Sequence, residues 1–222
     1  MSRGDRQLYH DREGAGRTLA DALSRLAGRT DLVVLALPRG GVPVAAPVVA
    51  RLGGTLGVLV VRKIGVPGRP ELAMGALASV GGRTTVVTND SVLSSLGIAT
   101  STFDRVAQLE AEEAGRRVSS LGGEPVITRN RTVVVVDDGL ATGSTMLAAV
   151  TALRPQRPAA IVVAVPVGAR EAVQQLSEVA DEVTCPRVPE PFLAVGMAYQ
   201  NFAQVSDDEV RRLLHTAARP GS

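Results

Sequence analysis

Two adjacent aspartates followed by small and hydroxylated residues form the most chemically informative segment of the chain. Asp137 and Asp138 come directly after four consecutive valines. Adjacent carboxylates at a partly buried position repel one another, so they are easier to explain if they accept hydrogen bonds from hydroxyls or approach a cation. Thr142, Ser144 and Thr145 follow at the predicted start of a helix, where hydroxyls and N–H groups make a phosphate cradle. The segment therefore predicts a site for a sugar phosphate.

Other motifs for phosphate binding or nucleophilic catalysis are excluded, because the sequence does not match them at required positions. A Walker P-loop requires Gly-Lys before its hydroxyl residue, whereas the corresponding pair here is Gly143-Ser144. The dinucleotide pattern G-x-G-x-x-G follows neither central strand, and no G-x-S-x-G surrounds Ser144. His10 and His215 have no metal-ligand partners at motif spacing, so we interpret them as surface residues.

The segment VVVVDDGLATGST resembles the phosphoribosyl diphosphate (PRPP) signature of the type I phosphoribosyltransferases, an apolar strand with two acidic residues and a T-G-x-T loop. The resemblance implies that Asp137 and Asp138 hold the ribose 2′- and 3′-hydroxyls and act in catalysis. It also implies a Mg²⁺ cofactor, which would bridge diphosphate and ribose oxygens and could use the same two carboxylates. The implied loop for the 5′-phosphate consists of Ala141, Thr142, Gly143, Ser144 and Thr145.

A second implied loop follows the first core strand, where the family binds pyrophosphate. Here that place is held by Arg39, Gly40 and Gly41, whose cation and exposed amides suit a diphosphate; a plain strand-to-helix turn is the alternative. Lys63, the single lysine of the chain, is implied both in catalysis and in binding pyrophosphate, with an ordinary surface lysine as the alternative. Residues 65–75 begin with several glycines and prolines, so we predict a mobile loop that closes over the donor.

The acceptor is the part of the reaction that the sequence specifies least. In the 6-oxopurine branch of the family, the position of Ala141 is an aspartate that handles a purine proton, and alanine has no proton to exchange. Hypoxanthine and guanine are therefore not expected as acceptors. Phe192, Tyr199 and Phe202 form either a hood pocket for a flat base or a small satellite core that anchors the last helix.

Three functions fit these residues, and we favour the first. It is a Mg²⁺-dependent transferase that moves the phosphoribosyl group of PRPP to a nitrogenous acceptor, such as a nucleobase, and releases pyrophosphate. The second is a non-enzymatic PRPP sensor, since regulatory relatives exist in the family. The third is an enzyme for another phosphorylated sugar, such as ribose 5-phosphate. Residues 1–31 and 186–222 offer no recognisable DNA-binding helix pair, which weakens a repressor version of the sensor.

The elements that must position these loops alternate between amphipathic helices and apolar strands. Helices are predicted over 12–27, 42–52, 101–120, from about 143, over 171–177, and from a capping box at Ser206 to about 216. Strands are predicted over 32–37, 58–61, 76–80, 84–88, 132–136, 159–165 and 182–184, with Gly81-Gly82 as a hairpin turn. On the helix over 101–120, Glu113 and Arg117 are predicted to pair on a solvated face.

This alternation, with uninterrupted apolar strands, implies a parallel sheet covered on both faces. We therefore predict an α/β fold with a doubly wound, mainly parallel sheet in a single domain over residues 1–222. Its core would span about 30–185, and residues 1–29 and 186–222 would add a helix and a small hood. The first core strand and the valine strand should flank the switch point of the sheet, so that both loops face one crevice.

The composition excludes several classes of protein. The 222 residues are 45% apolar and 21% charged, as in an ordinary globular domain. The longest apolar run, over residues 159–167, is too short to span a membrane, and no secretory signal opens the sequence. The single cysteine, Cys185, cannot form an internal disulfide, so we expect a cytoplasmic protein.

The charge balance and the aromatic content bear on the partners. A net charge of +2 and an aromatic content of 2% argue against a nucleic-acid partner, because such partners need basic patches and stacking platforms. The expected partners are therefore PRPP and an unidentified acceptor, with no membrane. A homodimer is compatible with the sequence.

Overall fold

A seven-stranded sheet organises the part of the chain that the structure, a computed structural model, describes: residues 7–80, 82–122 and 125–217. The strands are β1 (Leu32–Ala36), β2 (Thr55–Val66), β3 (Arg69–Val80), β4 (Arg83–Thr88), β5 (Thr132–Val136), β6 (Ala160–Ala164) and β7 (Glu182–Thr184). Their order across the sheet is β4-β3-β2-β1-β5-β6-β7. The strands from β2 to β7 in this order run parallel, whereas β3 and β4 extend the sheet in antiparallel fashion.

Helices cover both faces of the sheet. They are α1 (Arg12–Ala22), α2 (Gly41–Leu52), α3 (Asp90–Ser95), α4 (Thr100–Ser120), α5 (Ser144–Leu153), α6 (Arg170–Ser177) and α7 (Asp207–Ala217). Buried residues of α1, α2, α4 and α7 form one apolar layer with the sheet, and those of α5 and α6 form the other. Among the described helices, none combines the length and the apolar character needed to cross a membrane.

The central strands explain why both layers are needed. Every residue of β1 and β5 is buried, and the two strands pair in register from Leu32 with Thr132 to Ala36 with Val136. Alternate side chains enter opposite layers, as Val134 packs in the layer with α2 and Val135 in the layer with α5. Strands that bury both faces are typical of parallel sheets between helices. The predicted doubly wound α/β fold is confirmed.

The switch point of the sheet lies between β1 and β5, as predicted. The chain moves from β1 outward to β2 on one side, and after β5 it moves outward to β6 and β7 on the other. Because β1 and β5 are parallel and aligned, the loops that follow them leave the same edge of the sheet side by side. Open α/β sheets bind their ligands at this place.

The predicted loop over residues 65–75 is wrong, because β2 and β3 continue through it as a hairpin. Val66 pairs with Arg69, which leaves Pro67 and Gly68 as the turn, and Gly68 has a positive φ of 78°. The ladder is irregular at Gly65, where a Cβ would lie 2.8 Å from the carbonyl oxygen of Pro70. Glycine and proline therefore mark a turn and a bulge here, both of which a hairpin accommodates.

Other boundaries differ from the predictions in smaller ways. The first helix ends at Ala22 and continues as a short 3₁₀ turn over Ser24–Leu26. The short helix α3 was not predicted; Asn89 caps it by accepting a hydrogen bond from the amide of Val92 at 3.3 Å. Gly82 takes the positive φ of 81° that the turn between β3 and β4 requires. Its predicted partner in that turn, Gly81, lies outside the described residues, as do residues 1–6 and 218–222.

Two segments far apart in the sequence, at Tyr9 and at residues 198–200, pair with each other beside the carboxyl ends of the parallel strands. The amide of Tyr9 donates to the carbonyl oxygen of Ala198 at 2.9 Å, and the amide of Gln200 donates to the carbonyl oxygen of Tyr9 at 2.9 Å. Tyr9, Ala198 and Tyr199 belong to a small buried cluster separate from the two main layers. We call this cluster and residues 200–203 the hood.

Candidate functional site

The two predicted aspartates lie together at the carboxyl end of β5. Asp137 Oδ1 accepts a hydrogen bond from the amide of Asp138 at 2.8 Å. Burial raises the pKa of both carboxyls above the usual range, and repulsion from Asp138 raises the pKa of Asp137 further. A position that disfavours carboxylate charge in this way is expected to attract cations and hydroxyl donors.

Arg12, which the sequence analysis did not single out, is the cation beside Asp138. Its Nε and Nη2 atoms both lie 2.8 Å from Asp138 Oδ2, while Nη1 donates to the carbonyl oxygen of Ala203 at 2.8 Å. The guanidinium carbon lies 3.8 Å from the centre of the Phe202 ring. Only 11% of the side chain is exposed, and its charge opposes the effect of burial on the pKa of Asp138. Arg12 thus connects α1, the hood and the aspartates.

The sequence does contain a signal for Arg12. Arg12 occupies the first position of the apolar stripe of α1, in helical register with Ala15 and Leu19, both of which are buried. An arginine on the inner stripe of a helix must find a buried partner. The sequence alone does not identify that partner, because Asp138 lies 126 residues away.

The glycines of the predicted pyrophosphate loop bring that loop against the aspartates. A Cβ on Gly40 would lie 2.1 Å from Asp138 Oδ2, and one on Gly41 would lie 2.5 Å from the carbonyl oxygen of Val136. Glycine is therefore required at position 41, where a Cβ would meet backbone, whereas a Cβ at position 40 would have to displace the Asp138 carboxylate. The peptide bond between Pro38 and Arg39 is cis. The two loops that the sequence predicts to face one crevice are in direct contact.

Arg39 belongs to a second ion-pair cluster at the same edge of the sheet, together with Asp207 and Arg117. Its Nη1 atom lies 3.7 Å from Asp207 Oδ1, and the same carboxylate binds Arg117 through two hydrogen bonds of 2.6 and 2.7 Å. The prediction that Arg117 pairs with Glu113 on a solvated face is therefore wrong, since Glu113 pairs with Arg116 instead. Asp207 lies 90 residues from Arg117 in the sequence, which is why helix spacing could not reveal the pair.

The predicted phosphate loop has the backbone geometry of an anion site. Gly143 precedes α5 with a left-handed φ of 71°, a conformation that favours glycine. Thr142 Oγ1 accepts from the amide of Ser144 at 3.4 Å and donates to Ser144 Oγ at 3.1 Å. Ala141, Thr142 and Thr145 are exposed at this end of the helix. First-turn N–H groups lack intrahelical partners, so together with these hydroxyls they can bind a phosphate.

Lys63 lies in a different cleft from the loops that it was predicted to assist. It is an exposed residue of β2, paired with Ala76, and it lines a cleft with the turn between β2 and β3 and with Arg105 and Glu110 of α4. The preceding residue, Arg62, instead lines a cleft that contains Pro38 and Thr145.

The hood aromatics Tyr199 and Phe192 belong to a small satellite core, the alternative to an acceptor pocket, but the cluster contains no described residue of the last helix that it was expected to anchor. Tyr199 is only 2% exposed, stacks on Phe202 with ring centres 5.1 Å apart, and lies 5.7 Å from Tyr9. Its hydroxyl donates to the carbonyl oxygen of Asp138 at 2.5 Å, and burial raises its pKa. Phe192 packs half-buried against the same cluster. Tyr199 therefore offers no open face to a base, whereas Phe202 is partly exposed beside Arg12.

The family of this chain follows from comparison of its sequence with known proteins. The sequence model of the phosphoribosyl transferase domain matches residues 6–200, and the chain belongs to that family. Two curated proteins of Mycobacterium tuberculosis, provisionally named phosphoribosyl transferases MT0597 (strain CDC 1551) and Rv0571c (strain H37Rv), are each 44% identical to it over 215 residues. These matches cover 96% of this chain and 48% of each relative, so the chain spans about half their length.

A solved structure shares the fold over nearly the whole chain. The crystal structure of TT1426 from Thermus thermophilus is 40% identical and superposes with a TM-score of 0.77. The match covers 93% of this chain and 97% of TT1426. The fold predicted from the resemblance to type I phosphoribosyltransferases is thereby confirmed.

Proposed function

We propose that this domain binds PRPP and transfers its phosphoribosyl group to a nitrogenous acceptor, such as a nucleobase, with release of pyrophosphate. The observation that carries the proposal is the contact between Gly40 and Asp138, which joins a loop suited to a diphosphate to a carboxylate suited to ribose hydroxyls. Membership of the phosphoribosyl transferase domain family supports the same conclusion.

Each part of the donor has a complementary group at this edge of the sheet. The 5′-phosphate would bind at the N-terminus of α5, with the hydroxyls of Thr142, Ser144 and Thr145 as further donors. Asp137 and Asp138 would accept hydrogen bonds from the ribose hydroxyls. The same carboxylates would stabilise the positive charge that develops on the sugar as pyrophosphate leaves. Arg39 and the amides of the glycine loop would hold the departing diphosphate.

The residues at the end of β5 also fit a Mg²⁺ ion shared with the donor. Mg²⁺ prefers oxygen ligands and is usually held by one or two carboxylates together with substrate phosphates. Asp137 and Asp138 would hold the ion, and the approach of Gly40 to Asp138 brings these carboxylates and the loop suited to a diphosphate to the same edge of the sheet. No group of three or more Asp, Glu, His or Cys side chains that could hold a metal occurs in the described ranges. A bound Mg²⁺ would neutralise charge on the leaving pyrophosphate.

Two finer proposals concern Lys63 and the acceptor. Lys63 would reach the leaving diphosphate only if the hairpin of β2 and β3 moved toward the site, since it lines a separate cleft. Ala141 is exposed beside the phosphate loop and carries no titratable group. We therefore propose an acceptor other than guanine or hypoxanthine.

Calorimetric titration with PRPP, with and without Mg²⁺, tests the proposal directly. Wild-type protein should bind PRPP, and the double variant Asp137→Asn with Asp138→Asn should lose that binding because both hydroxyl acceptors lose their charge. The control is Glu171→Gln with Glu178→Gln, which removes the same charge from exposed positions at α6 and should bind like wild type. Absence of PRPP binding to the wild-type protein under both conditions would overturn the proposal.

Release of pyrophosphate distinguishes a transferase from a PRPP sensor. The wild-type protein is incubated with Mg²⁺, PRPP and single nucleobases, and pyrophosphate is measured for each base. A transferase releases pyrophosphate only with its acceptor, whereas a sensor binds PRPP and releases none with any base.

A further inference from the structure

A cleft of about 420 Å³ lies between the loop predicted for pyrophosphate and the loop predicted for the 5′-phosphate. Leu37 and Pro38, which lead into the first loop, line one side, and Thr145 of the second loop lines another. Arg117 of α4 also lines this cleft, although no family motif led to it. Its remaining lining residues are Leu59, Val60, Val61, Arg62 and Glu113.

Arg117 shares one carboxylate with Arg39. Asp207 binds Arg117 through both of its oxygens and lies 3.7 Å from Arg39, so two guanidinium groups face a single negative charge. The hydrogen bond from Arg117 lowers the pKa of Asp207 below its usual value, so the carboxylate is ionised at neutral pH. About one third of the Arg117, Asp207 and Arg39 side chains is exposed. Arg117 lines the cleft itself, and Asp207 and Arg39 lie directly beyond it in the same ion-pair cluster.

The other charged groups of the cleft are paired elsewhere. Arg62 forms an ion pair with Glu110, and Glu113 forms one with Arg116 at 2.8 Å. Neither pair includes Asp207. Arg117 and Arg39 are therefore the two cations that converge on one replaceable anion beside both predicted phosphate loops.

We propose that Arg117 and Arg39 form a clamp for the diphosphate of the donor, in which the diphosphate replaces the carboxylate of Asp207. This inference rests on the proposed function for the identity of the diphosphate. Guanidinium groups bind phosphate oxygens through paired, charge-assisted hydrogen bonds, and a diphosphate offers more oxygens and more charge than one carboxylate. Asp207 then keeps the two arginines oriented and neutralised until the diphosphate takes its place.

A purely structural role for the ion pair makes a different prediction. Arg117 and Asp207 also join α4 to α7, as does the hydrogen bond of 2.7 Å from Arg211 to the carbonyl oxygen of Ser120. If joining the helices were the only role, both Arg117→Gln and Asp207→Asn would lower the melting temperature. Neither would then alter affinity for a diphosphate beyond the effect of net charge.

The test is a calorimetric titration of the full chain with inorganic pyrophosphate. The variants are Arg117→Gln, Arg117→Lys and Asp207→Asn. Arg154→Gln is the control for the arginine because it removes a similarly exposed Arg–Asp pair, with Asp181, at the opposite edge of the sheet. Asp208→Asn is the control for the aspartate because it removes the same charge from the same turn of α7. The melting temperature of each variant is recorded as well.

We expect Arg117→Gln to weaken pyrophosphate binding about tenfold or more relative to Arg154→Gln, because charge-assisted hydrogen bonds are lost. Arg117→Lys should retain part of the affinity. Asp207→Asn should bind pyrophosphate at least as tightly as Asp208→Asn, since a competing anion has gone. The clamp is refuted if Arg117→Gln and Arg154→Gln bind within about twofold of each other, or if Asp207→Asn weakens binding as much as Arg117→Gln does.

A parallel titration with PRPP separates this inference from the proposed function. If the wild-type protein binds pyrophosphate through Arg117 but does not bind PRPP, the clamp stands and the proposed function fails. If PRPP binds and Arg117→Gln leaves both affinities unchanged, the proposed PRPP binding stands and the clamp fails.

Discussion

Aspartates lie at both edges of the parallel sheet, but the two edges treat them in opposite ways. At the amino edge, Asp31 precedes β1 and accepts hydrogen bonds of 2.9 and 3.0 Å from Arg29 and one of 3.0 Å from Thr132. These donors, with Arg29 first, lower the pKa of Asp31 to about 2. Asp181 precedes β7 and accepts from Arg154 and from the amide of Ile161, both at 2.7 Å, and its pKa is lowered too.

At the carboxyl edge, Asp137 and Asp138 share one arginine, and their pKa values are raised by burial. The aspartates of the amino edge each have their own arginine and a further donor, so their charge is already satisfied by the fold. The charge at the carboxyl edge is not satisfied to the same degree, which is typical of a functional site. The comparison shows that the position of an Asp beside a strand does not by itself distinguish a structural carboxylate from a candidate functional one, whereas its hydrogen-bond partners do.

The largest expected effect is that of a substitution at Gly40, where the loop after β1 meets Asp138 of the loop after β5. Gly40→Ala would place a Cβ against the carboxylate of Asp138 and displace it. We expect PRPP affinity to fall about a hundredfold, because loss of a hydrogen bond to a charged group costs up to about 3 kcal/mol. Calorimetry with PRPP and Mg²⁺ measures the change.

Gly54→Ala provides the matched control at the amino edge. A Cβ on Gly54 would lie 2.6 Å from the carbonyl oxygen of Leu32, and its φ is positive at 91°. This variant should lower the melting temperature yet bind PRPP like wild type. Equal loss of affinity in both variants would show that backbone strain anywhere in the sheet, rather than contact at the site, controls binding.

The second largest expected effect is a loss of stability on substitution of Arg12, the cation beside Asp138 at the carboxyl edge. Arg12→Met leaves Asp138 without its ion-pair partner and removes the contact with Phe202. Loss of one partner from a largely buried pair destabilises a protein by about 3 kcal/mol. Urea unfolding at pH 7 measures the difference in free energy.

Arg154→Met removes a more exposed pair at the amino edge and should change the free energy of unfolding by less than about 1 kcal/mol. Similar losses in the two variants would contradict the distinction between the edges.

The smallest expected effect concerns the free energy of unfolding as a function of pH, to which Asp31 and Asp137 contribute with opposite signs. The lowered pKa of Asp31 means that its stabilising contribution is present above about pH 4 and is lost as the pH falls toward 2. The raised pKa of Asp137 acts in the opposite direction, because the folded protein holds that proton more tightly than the unfolded chain. Its stabilising contribution is therefore lost as the pH rises above about 4, where the unfolded chain releases this proton and the folded protein still holds it.

Thermal unfolding of wild type, Asp31→Asn and Asp137→Asn across this pH range tests the signs. Asp31→Asn should be less stable than wild type at pH 7, with a gap that narrows at acid pH. Asp137→Asn should gain on wild type as the pH rises. Parallel curves for all three proteins would show that neither carboxyl changes its pKa on folding.

The local parts of the site could be predicted from the sequence, and the long-range parts could not. Four valines, two aspartates and the T-G-S-T loop are contiguous, so one strand and one helix start determine their geometry. Arg12 and Asp207 reach the site from distant helices, and no spacing rule connects them to Asp138 or Arg117. Residues 65–75 were mistaken for a loop because glycine and proline suit hairpin turns and bulges as well as loops.

The pairing of the hood with α1 has a consequence for the order of folding. Arg12 and Ala203 are 191 residues apart in the sequence, yet their hydrogen bond helps to fix the cation beside Asp138. A growing chain can complete this contact only after almost all of the domain has been synthesised. Contacts between such distant residues are slow to form because of the entropy of closing long loops. The charge balance of the aspartates is therefore established only when residues from both the first helix and the hood have come together.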